Sequence, residues 1–158
     1  MNDPGNQYVL FRAGSEEYGL PISRVSSIIR FETVTPVPRA PRGVLGVIDL
    51  RGRVIPIVDL GRKLFGTQFE PLSRSRIIVT EGTDGPVGLA VDGASEVARF
   101  SPDDLMPAPA GAVAPEISDA FEAVVHLGAR LIILLDLDRI LPRAEYELSG
   151  TEQPEVEG

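Results

Sequence analysis

The chain has 158 residues, a formal net charge of -8 and no cysteine. One compact domain of this length buries most of its apolar surface without a metal or disulfide, and the lack of cysteine excludes disulfides, thiolate nucleophiles and cysteine-ligated zinc. The acidic balance argues against nucleic-acid binding. The polar first residues and the short longest apolar run, Leu131 to Leu135, predict a soluble cytoplasmic protein with no direct membrane insertion.

Short apolar runs separated by glycine and proline predict an all-β chain with many turns. Val25, Ile28 and Ile29 recur at helical spacing after Ser23, so a short helix is predicted there, with an apolar face that is more often core than docking groove. The first block is predicted as strands over 8–13 and 17–22, this helix, an extended segment over 33–38, strands over 44–50 and 54–58, and a helical turn from Asp59 to Gly66.

The second block repeats this alternation of short strands and turns. It is predicted as strands over 76–80, 87–91 and 96–100, a helix start at Ser101, a loop over 106–115, strands over 121–127 and 130–137, and a closing turn capped by Asp138. Two blocks of about five strands predict two small barrels packed together, although no residue-level repeat is evident between them. Residues 1–7 are predicted to be flexible, 8–142 to form the folded domain, and 143–158 to be an acidic disordered tail.

A hairpin from Gly46 to Leu60 places an arginine at its tip, between two apolar strands. Gly52 and Pro56 belong to the same predicted hairpin, and Asp59 ends it. Arg51 either pins the turn by bonding nearby carbonyl oxygens or faces a partner, since arginine is over-represented among the residues that dominate binding energies. The sequence alone leaves both interpretations open.

Basic residues concentrate in the middle of this acidic chain. The stretch from Arg30 to Arg76 holds nine of the fifteen basic residues and four acidic ones. Such a distribution orients a partner electrostatically or simply keeps the surface soluble. Binding of single-stranded nucleic acid through this stretch is disfavoured, because only three aromatic residues, Phe31, Phe65 and Phe69, are available there for base stacking.

Recognisable catalytic chemistry is missing from the sequence. His126 is the only histidine, and it lies on an apolar strand where a core or barrel-rim position is the usual reason for it. Asp136 and Asp138 share one strand face, which suits a solvated strand end and a helix cap better than a cation site. No phosphate-binding glycine loop or nucleophile elbow is present. We therefore expect no enzymatic activity, no metal and no cofactor.

Several segments in the same order resemble the CheW-type chemotaxis coupling proteins. The most specific segment is the hairpin from Gly46 to Gly52 with its continuation from Pro56 to Leu60. The other similar segments are Phe11 to Leu20, Val25 to Ile29, Pro38 to Pro41, Gly88 to Val97 and Leu131 to Leu141. The likeness therefore extends over roughly Tyr8 to Leu141.

This resemblance implies two intertwined five-stranded SH3-like barrels around a shared core, with short helices. It also implies a non-enzymatic adaptor in the cytoplasm, at receptor arrays on the inner membrane. Its partners would be the tip of a methyl-accepting chemotaxis receptor and the regulatory domain of the histidine kinase CheA. Carried over from the family, the receptor-binding groove would use Val25, Ile28, Arg51, Val91 and Val113.

Two positions depart from the family pattern. Asp49 stands where many members have asparagine, and Ser27 stands where an acid is common that would pair with Arg51. These departures leave a second interpretation, in which the chain modulates a non-flagellar chemosensory pathway by competing for the kinase or the receptor.

Overall fold

Ten strands and two short α-helices make up the computed structural model, which describes residues 6–41, 43–66, 69–109, 111 and 118–141. The elements are β1 (Gln7–Ala13), β2 (Glu16–Pro21), β3 (Val25–Arg30), β4 (Val44–Leu50), β5 (Arg53–Asp59), α1 (Leu60–Phe65), β6 (Arg76–Gly82), β7 (Gly85–Val91), β8 (Gly93–Arg99), β9 (Phe121–Leu127), β10 (Arg130–Leu135) and α2 (Leu137–Ile140). Single 3₁₀ turns lie at Ile22–Arg24, Pro102–Asp104 and Ser118–Ala120.

The strands form two five-stranded sheets that exchange strands between the halves of the chain. The first sheet has the order β8-β1-β2-β10-β9 and the second the order β3-β6-β7-β5-β4. A bridge from Thr35 to Val47 links the connection after β3 to β4, and a bridge from Met106 to Val124 links the connection after β8 to β9. Because each bridge joins opposite edges, each sheet curls back on itself. The predicted all-β class with two five-stranded units is confirmed.

Three apolar clusters hold this architecture together. Tyr8, Leu10 and Ile132 belong to the cluster inside the first sheet, whereas Ile55 and Ile77 belong to the one inside the second. The largest cluster takes residues from both sheets and both α-helices, and it includes Phe11, Tyr18, Leu20, Leu60, Ile78, Leu89, Leu135 and Leu137. This shared core is the reason that neither sheet is an independent domain.

The two halves of the chain are structural repeats, which the sequence did not reveal. The parallel pair in the first sheet sets Gly19 opposite Leu134, and that in the second sets Gly88 opposite Ile57. A Cβ at Gly19 would lie 2.8 Å from Leu134 Cδ2, and one at Gly88 would lie 2.6 Å from Ile57 Cδ1. The same close approach at the same register shows that β1–β5 and β6–β10 follow one plan.

The predicted helix from Val25 to Ile29 is wrong, because this segment is strand β3. Only Ile22–Arg24, before it, makes a 3₁₀ turn. The alternation of half-buried and exposed residues along β3 has a period of two, and β3 pairs antiparallel with β6. β-Branched valine and isoleucine favour a strand when a partner edge is available, and β6 supplies that edge.

A second correction concerns the closing turn. The predicted cap, Asp138, lies inside α2, and the N-cap is Asp136, whose carboxylate accepts a hydrogen bond from the Asp138 N–H at 3.1 Å. The Asp138 carboxylate instead pairs with Arg24 at 2.8 Å. That ion pair and the hydrogen bonds of Asp138 to Arg24 hold its pKa below the usual range.

Candidate functional site

The tip of the β4–β5 hairpin is a two-residue turn in a left-handed backbone. Leu50 pairs with Arg53, and between them Arg51 has φ 55° and Gly52 has φ 86°. Positive φ at both central residues is the mark of a type I′ turn, which matches the twist of the strands and usually takes asparagine, aspartate or glycine. The Asp49 carboxylate accepts a hydrogen bond from the Gly52 N–H at 2.9 Å, so it fastens the turn without help from Arg51.

The other predicted hairpin residues fix the base of this element. A Cβ on Gly46, which has φ 149°, would lie 2.1 Å from the backbone oxygen of Thr35, so only glycine fits there. Pro56 lies opposite Val47, whose backbone N–H and carbonyl both bond Thr35 at 2.8 and 2.9 Å. Val47 therefore offers Pro56 no ladder hydrogen bond to lose, which makes a proline acceptable in this strand.

Asp59 joins the hairpin to α1 from a buried position. Its carboxylate accepts hydrogen bonds from the Arg62 N–H at 3.1 Å and the Phe69 N–H at 2.8 Å. Burial raises its pKa from the ordinary value, although these two backbone donors act in the opposite direction. The predicted helix cap is present, and Gly66 ends the helix with φ 77°.

Two cations and an apolar side chain are exposed together at the hairpin end. Neither Arg51 nor Arg53 makes a hydrogen bond or an ion pair through its guanidinium with any residue that the structure describes. Val54 is 65% exposed beside them, because the strand alternation turns it away from the buried Ile55. We call Arg51, Arg53 and Val54 the hairpin-end surface. Sequence reasoning missed Arg53 and Val54, although period-two alternation around Ile55 signals that Val54 faces outward.

The groove residues implied by the family resemblance fall in different environments. Val25 is half-buried against the shared core, and Ile28 is 41% exposed on β3. Val91 is 1% exposed inside the shared core, so its side chain offers no contact surface in this conformation. Val113 lies outside the described residues. The packing thus brings Val25 and Val91 to one apolar cluster, whereas Ile28 and Arg51 belong to opposite edges of the second sheet.

Polar clusters of other kinds have structural explanations. The described ranges contain no group of three or more histidine, cysteine, aspartate or glutamate residues that could hold a metal ion. His126 is exposed on β9 rather than in the core. No helix in the described part of the chain is long and apolar enough to cross a membrane.

Comparisons with known proteins point to one family. Residues 7–145 match the family model described as CheW-like domain. The chain is 36% identical over 152 residues to the chemotaxis protein CheW of Rhizobium meliloti (strain 1021), covering 93% of this chain and 94% of that protein. It is 32% identical over 144 residues to the chemotaxis protein CheW of Klebsiella aerogenes, covering 91% of this chain and 86% of that protein.

A solved structure agrees with these sequence matches. The scaffolding protein TtCheW from Thermoanaerobacter tengcongensis superposes with a TM-score of 0.78 and 26% sequence identity, covering 89% of this chain and 90% of that one. The likeness therefore covers the architecture of nearly the whole chain.

Proposed function

This chain belongs to the CheW-like family, and from that premise we propose that it is a non-enzymatic adaptor joining the tip of a methyl-accepting chemotaxis receptor to the regulatory domain of the histidine kinase CheA. The observation that carries the proposal is Arg51 at the tip of the β4–β5 hairpin. Its backbone is left-handed and its guanidinium has no partner among the described residues. Such a role places the protein in the cytoplasm at receptor arrays.

A strained residue without an intramolecular role supports a binding function. A non-glycine residue in left-handed backbone costs about 1–2 kcal/mol. The Asp49 carboxylate holds the turn, so the Arg51 side chain adds no contact that stabilises the fold. This favours the partner-facing interpretation of Arg51 over the turn-pinning one. Retained strain of this kind concentrates where function requires a particular side chain.

The receptor-facing surface is proposed as a cationic and apolar combination. The hairpin-end surface supplies two guanidinium groups and an exposed valine, and Ile28 supplies an apolar anchor on β3. Val25 packs against the shared core and Val91 lies inside it, so Val91 is not proposed as a direct contact. A helical receptor tip with acidic and apolar residues on one face would match these groups, because helices dock through apolar anchors at i, i+3 and i+4.

Receptor binding by an Arg51→Glu variant tests this proposal. We expect binding of a receptor signalling domain to weaken at least about tenfold, equivalent to 1.4 kcal/mol, while the fold is retained. Arg139→Glu on α2 is the matched control, because it makes the same charge change at an exposed arginine. Unchanged receptor affinity of Arg51→Glu, or unfolding of that variant, would refute the partner-facing role.

A reconstituted assay of kinase activity tests the coupling role. Purified receptor domain, CheA and this chain are expected to form a ternary complex with stimulated kinase activity. Inhibition at every ratio of components would instead assign the chain to the competing, non-flagellar role. Absence of any ternary complex with folded protein would end the adaptor proposal.

A further inference from the structure

A cavity of about 540 Å³ opens beside the start of β8, remote from the hairpin tip in sequence. Its lining includes four arginines, Arg12, Arg74, Arg76 and Arg130, and two acids, Glu17 and Asp92. Its volume lies in the range of small-molecule sites, roughly 300–1,000 Å³. Within a chain of net charge -8, a concave surface with an excess of cations is an exception that requires a reason.

The carboxylates in the cavity neutralise only some of these arginines. Arg130 donates to Glu17 at 2.7 Å and to Glu96 at 2.9 Å, and Arg12 approaches Glu17 at 3.7 Å. The Asp92 carboxylate accepts a hydrogen bond from the Gly14 N–H at 2.7 Å. The carboxylates of these acids therefore contact Arg130, Arg12 and the Gly14 N–H, and none of these contacts reaches Arg74 or Arg76.

Arg74 and Arg76 are the two arginines of the lining that pair with no carboxylate among the described residues. Arg76 donates through Nη1 to the backbone oxygens of Ser73 and Ser75 at 3.1 and 2.8 Å, and neither acceptor carries a charge. Arg74 is exposed and makes no hydrogen bond or ion pair within the described part of the chain. Two guanidinium groups two residues apart are thus available for an oxyanion, which arginine binds through paired N–H donors.

The turn that carries these arginines is held in place before any ligand arrives. Ser75 is buried, its hydroxyl accepts from the Leu72 N–H at 2.9 Å, and its N–H donates to the Leu72 oxygen at 3.0 Å. The Ser75 oxygen also accepts from the Phe31 N–H at 3.2 Å. A fixed backbone lowers the ordering penalty of binding, so affinity does not need many contacts.

The two repeats carry different residues at one position that lines the cavity. In the first half of the chain, Arg24 donates to the Asp138 carboxylate at 2.8 Å and to the Glu81 backbone oxygen at 2.9 Å. The matching position in the second half is Gly93, which pairs with Arg12 just as the Arg24 end of β3 meets the Glu81 end of β6. Gly93 lines the cavity and has no side chain to occupy it.

We propose that this cavity binds a small anion carrying two or more negative charges on phosphate or carboxylate oxygens, with Arg74 and Arg76 as its principal ligands. Arg12, which approaches Glu17 at 3.7 Å, belongs to the same lining. The proposal does not depend on receptor coupling, because none of these residues belongs to the hairpin-end surface. Binding is expected to weaken as salt is raised, since the exposed guanidinium groups are screened.

Titration of the full chain with pyrophosphate and, separately, with citrate tests the site by amide NMR shifts and calorimetry at low salt. We expect saturable binding with shifts at residues 74–76 and at Gly93. The double variant Arg74→Gln and Arg76→Gln should weaken it at least about tenfold, as expected for loss of charge-assisted hydrogen bonds. Preference for pyrophosphate over citrate identifies a phosphate ligand, and the reverse preference identifies a carboxylate.

Three controls keep the outcome decisive. The double variant Arg51→Gln and Arg53→Gln makes the same charge change on the hairpin-end surface and should bind as wild type. Arg74→Gln alone removes no contact seen within the described residues, so it tests binding even if the loss of Arg76 destabilises the turn. Gly93→Leu fills the cavity without changing charge, and its Cβ has room, with the nearest atom, the Arg74 oxygen, at 3.8 Å. Equal losses in both double variants, unaltered binding in Gly93→Leu, or affinity weaker than roughly 1 mM for both anions would overturn the proposal.

Discussion

The β4–β5 and β9–β10 hairpins occupy equivalent places in the two halves, yet their ends differ. Each follows the same path, with Leu50 opposite Arg53 in one and Leu127 opposite Arg130 in the other. Each ends at an aspartate that caps a short helix, Asp59 or Asp136. The shared features are those that build the backbone, so they report the common fold.

The differences lie in the charged groups at the hairpin ends. Arg130 is neutralised by Glu17 and Glu96. The register places Pro86 and Ser27 at the positions equivalent to those acids, so Arg53 is left without a carboxylate from either of them. Arg130 therefore has carboxylate partners in one repeat, whereas Arg53 has none among the described residues of the other.

The tips differ in backbone strain as well. Gly128 takes the left-handed position of the β9–β10 turn with φ 64°, and a glycine adopts it at no steric cost. Arg51 takes the corresponding position in the β4–β5 turn with φ 55°. The two tips therefore differ in strain, because a glycine takes this position in one turn and an arginine takes it in the other.

The largest expected effect is at the base of the hairpins. Gly46→Ala should destabilise the fold by about 3 kcal/mol or more, because the added Cβ meets the Thr35 backbone and the residue has positive φ. The equivalent residue, Ala123, already carries a Cβ in a buried site. Ala123→Gly should cost only about 1 kcal/mol. Urea denaturation measures both, and similar losses would contradict the asymmetry.

The next largest difference in stability is expected between variants of the two helix caps. Asp59→Ala is expected to cost about 2–3 kcal/mol, because two buried backbone donors lose their acceptor. Asp136→Ala should cost about 1 kcal/mol, since the Asp136 side chain accepts one bond, from the Asp138 N–H, in a less buried site. The denaturation midpoints of the two variants measure these losses of stability. A greater loss in Asp136→Ala would show that burial of the cap does not determine its contribution.

Ionisation of Asp59 gives this comparison a pH dependence. Burial raises its pKa in the folded state, so the proton is held more tightly there than in the unfolded chain. The stabilisation that follows from this raised pKa is fully present below pH 3.8, the ordinary pKa of aspartate, and is lost as the pH rises through the raised pKa. Asp59→Asn should remove this dependence of the unfolding free energy on pH. If the variant keeps the wild-type dependence, another group is its cause.

Local patterns predicted the strands and turns, but not contacts between distant segments. The cap at Asp59 and the turn at Gly66 depend on neighbouring residues, and both are present. The spacing of Val25, Ile28 and Ile29 suits helix and strand alike, and the partner that decides, β6, lies far along the chain. The family resemblance implied that the two units are intertwined, which composition alone could not predict.

The candidate site also contains features that local sequence predicts and features that depend on distant segments. Arg51 was singled out from the sequence because its position between two apolar strands is visible locally, and its role stays a prediction. Arg53 was missed because its lack of a partner becomes evident only beside Arg130, whose acids come from β2 and β8. The repeat itself was hidden because few residues are identical between the halves, while the strand registers agree.

A smaller effect is expected from removing the paired arginine. Arg130→Gln should lower the denaturation midpoint by less than the Asp59 change, because exposed ion pairs contribute little. Arg53→Gln should leave the midpoint unaltered, because Arg53 makes no ion pair with the described residues. Hydrogen bonding to Arg130 lowers the pKa of Glu17. The contribution of this pair is therefore present above the ordinary value of 4.5 and is lost as pH falls through the lowered value. A loss in Arg130→Gln that persists below both values would exclude the ion pair as its cause.

The most informative change in stability is expected at the tips, where it is small and one variant should become more stable. Arg51→Gly should stabilise the fold by roughly 0.5–1 kcal/mol, because relief of the left-handed backbone exceeds the entropy of a more flexible unfolded chain. The reciprocal Gly128→Arg should destabilise by a similar amount. Receptor binding should fall in Arg51→Gly and stay unchanged in Gly128→Arg. A variant that folds better and binds worse would show that Arg51 is retained for its partner, whereas loss of both properties would return it to a structural role.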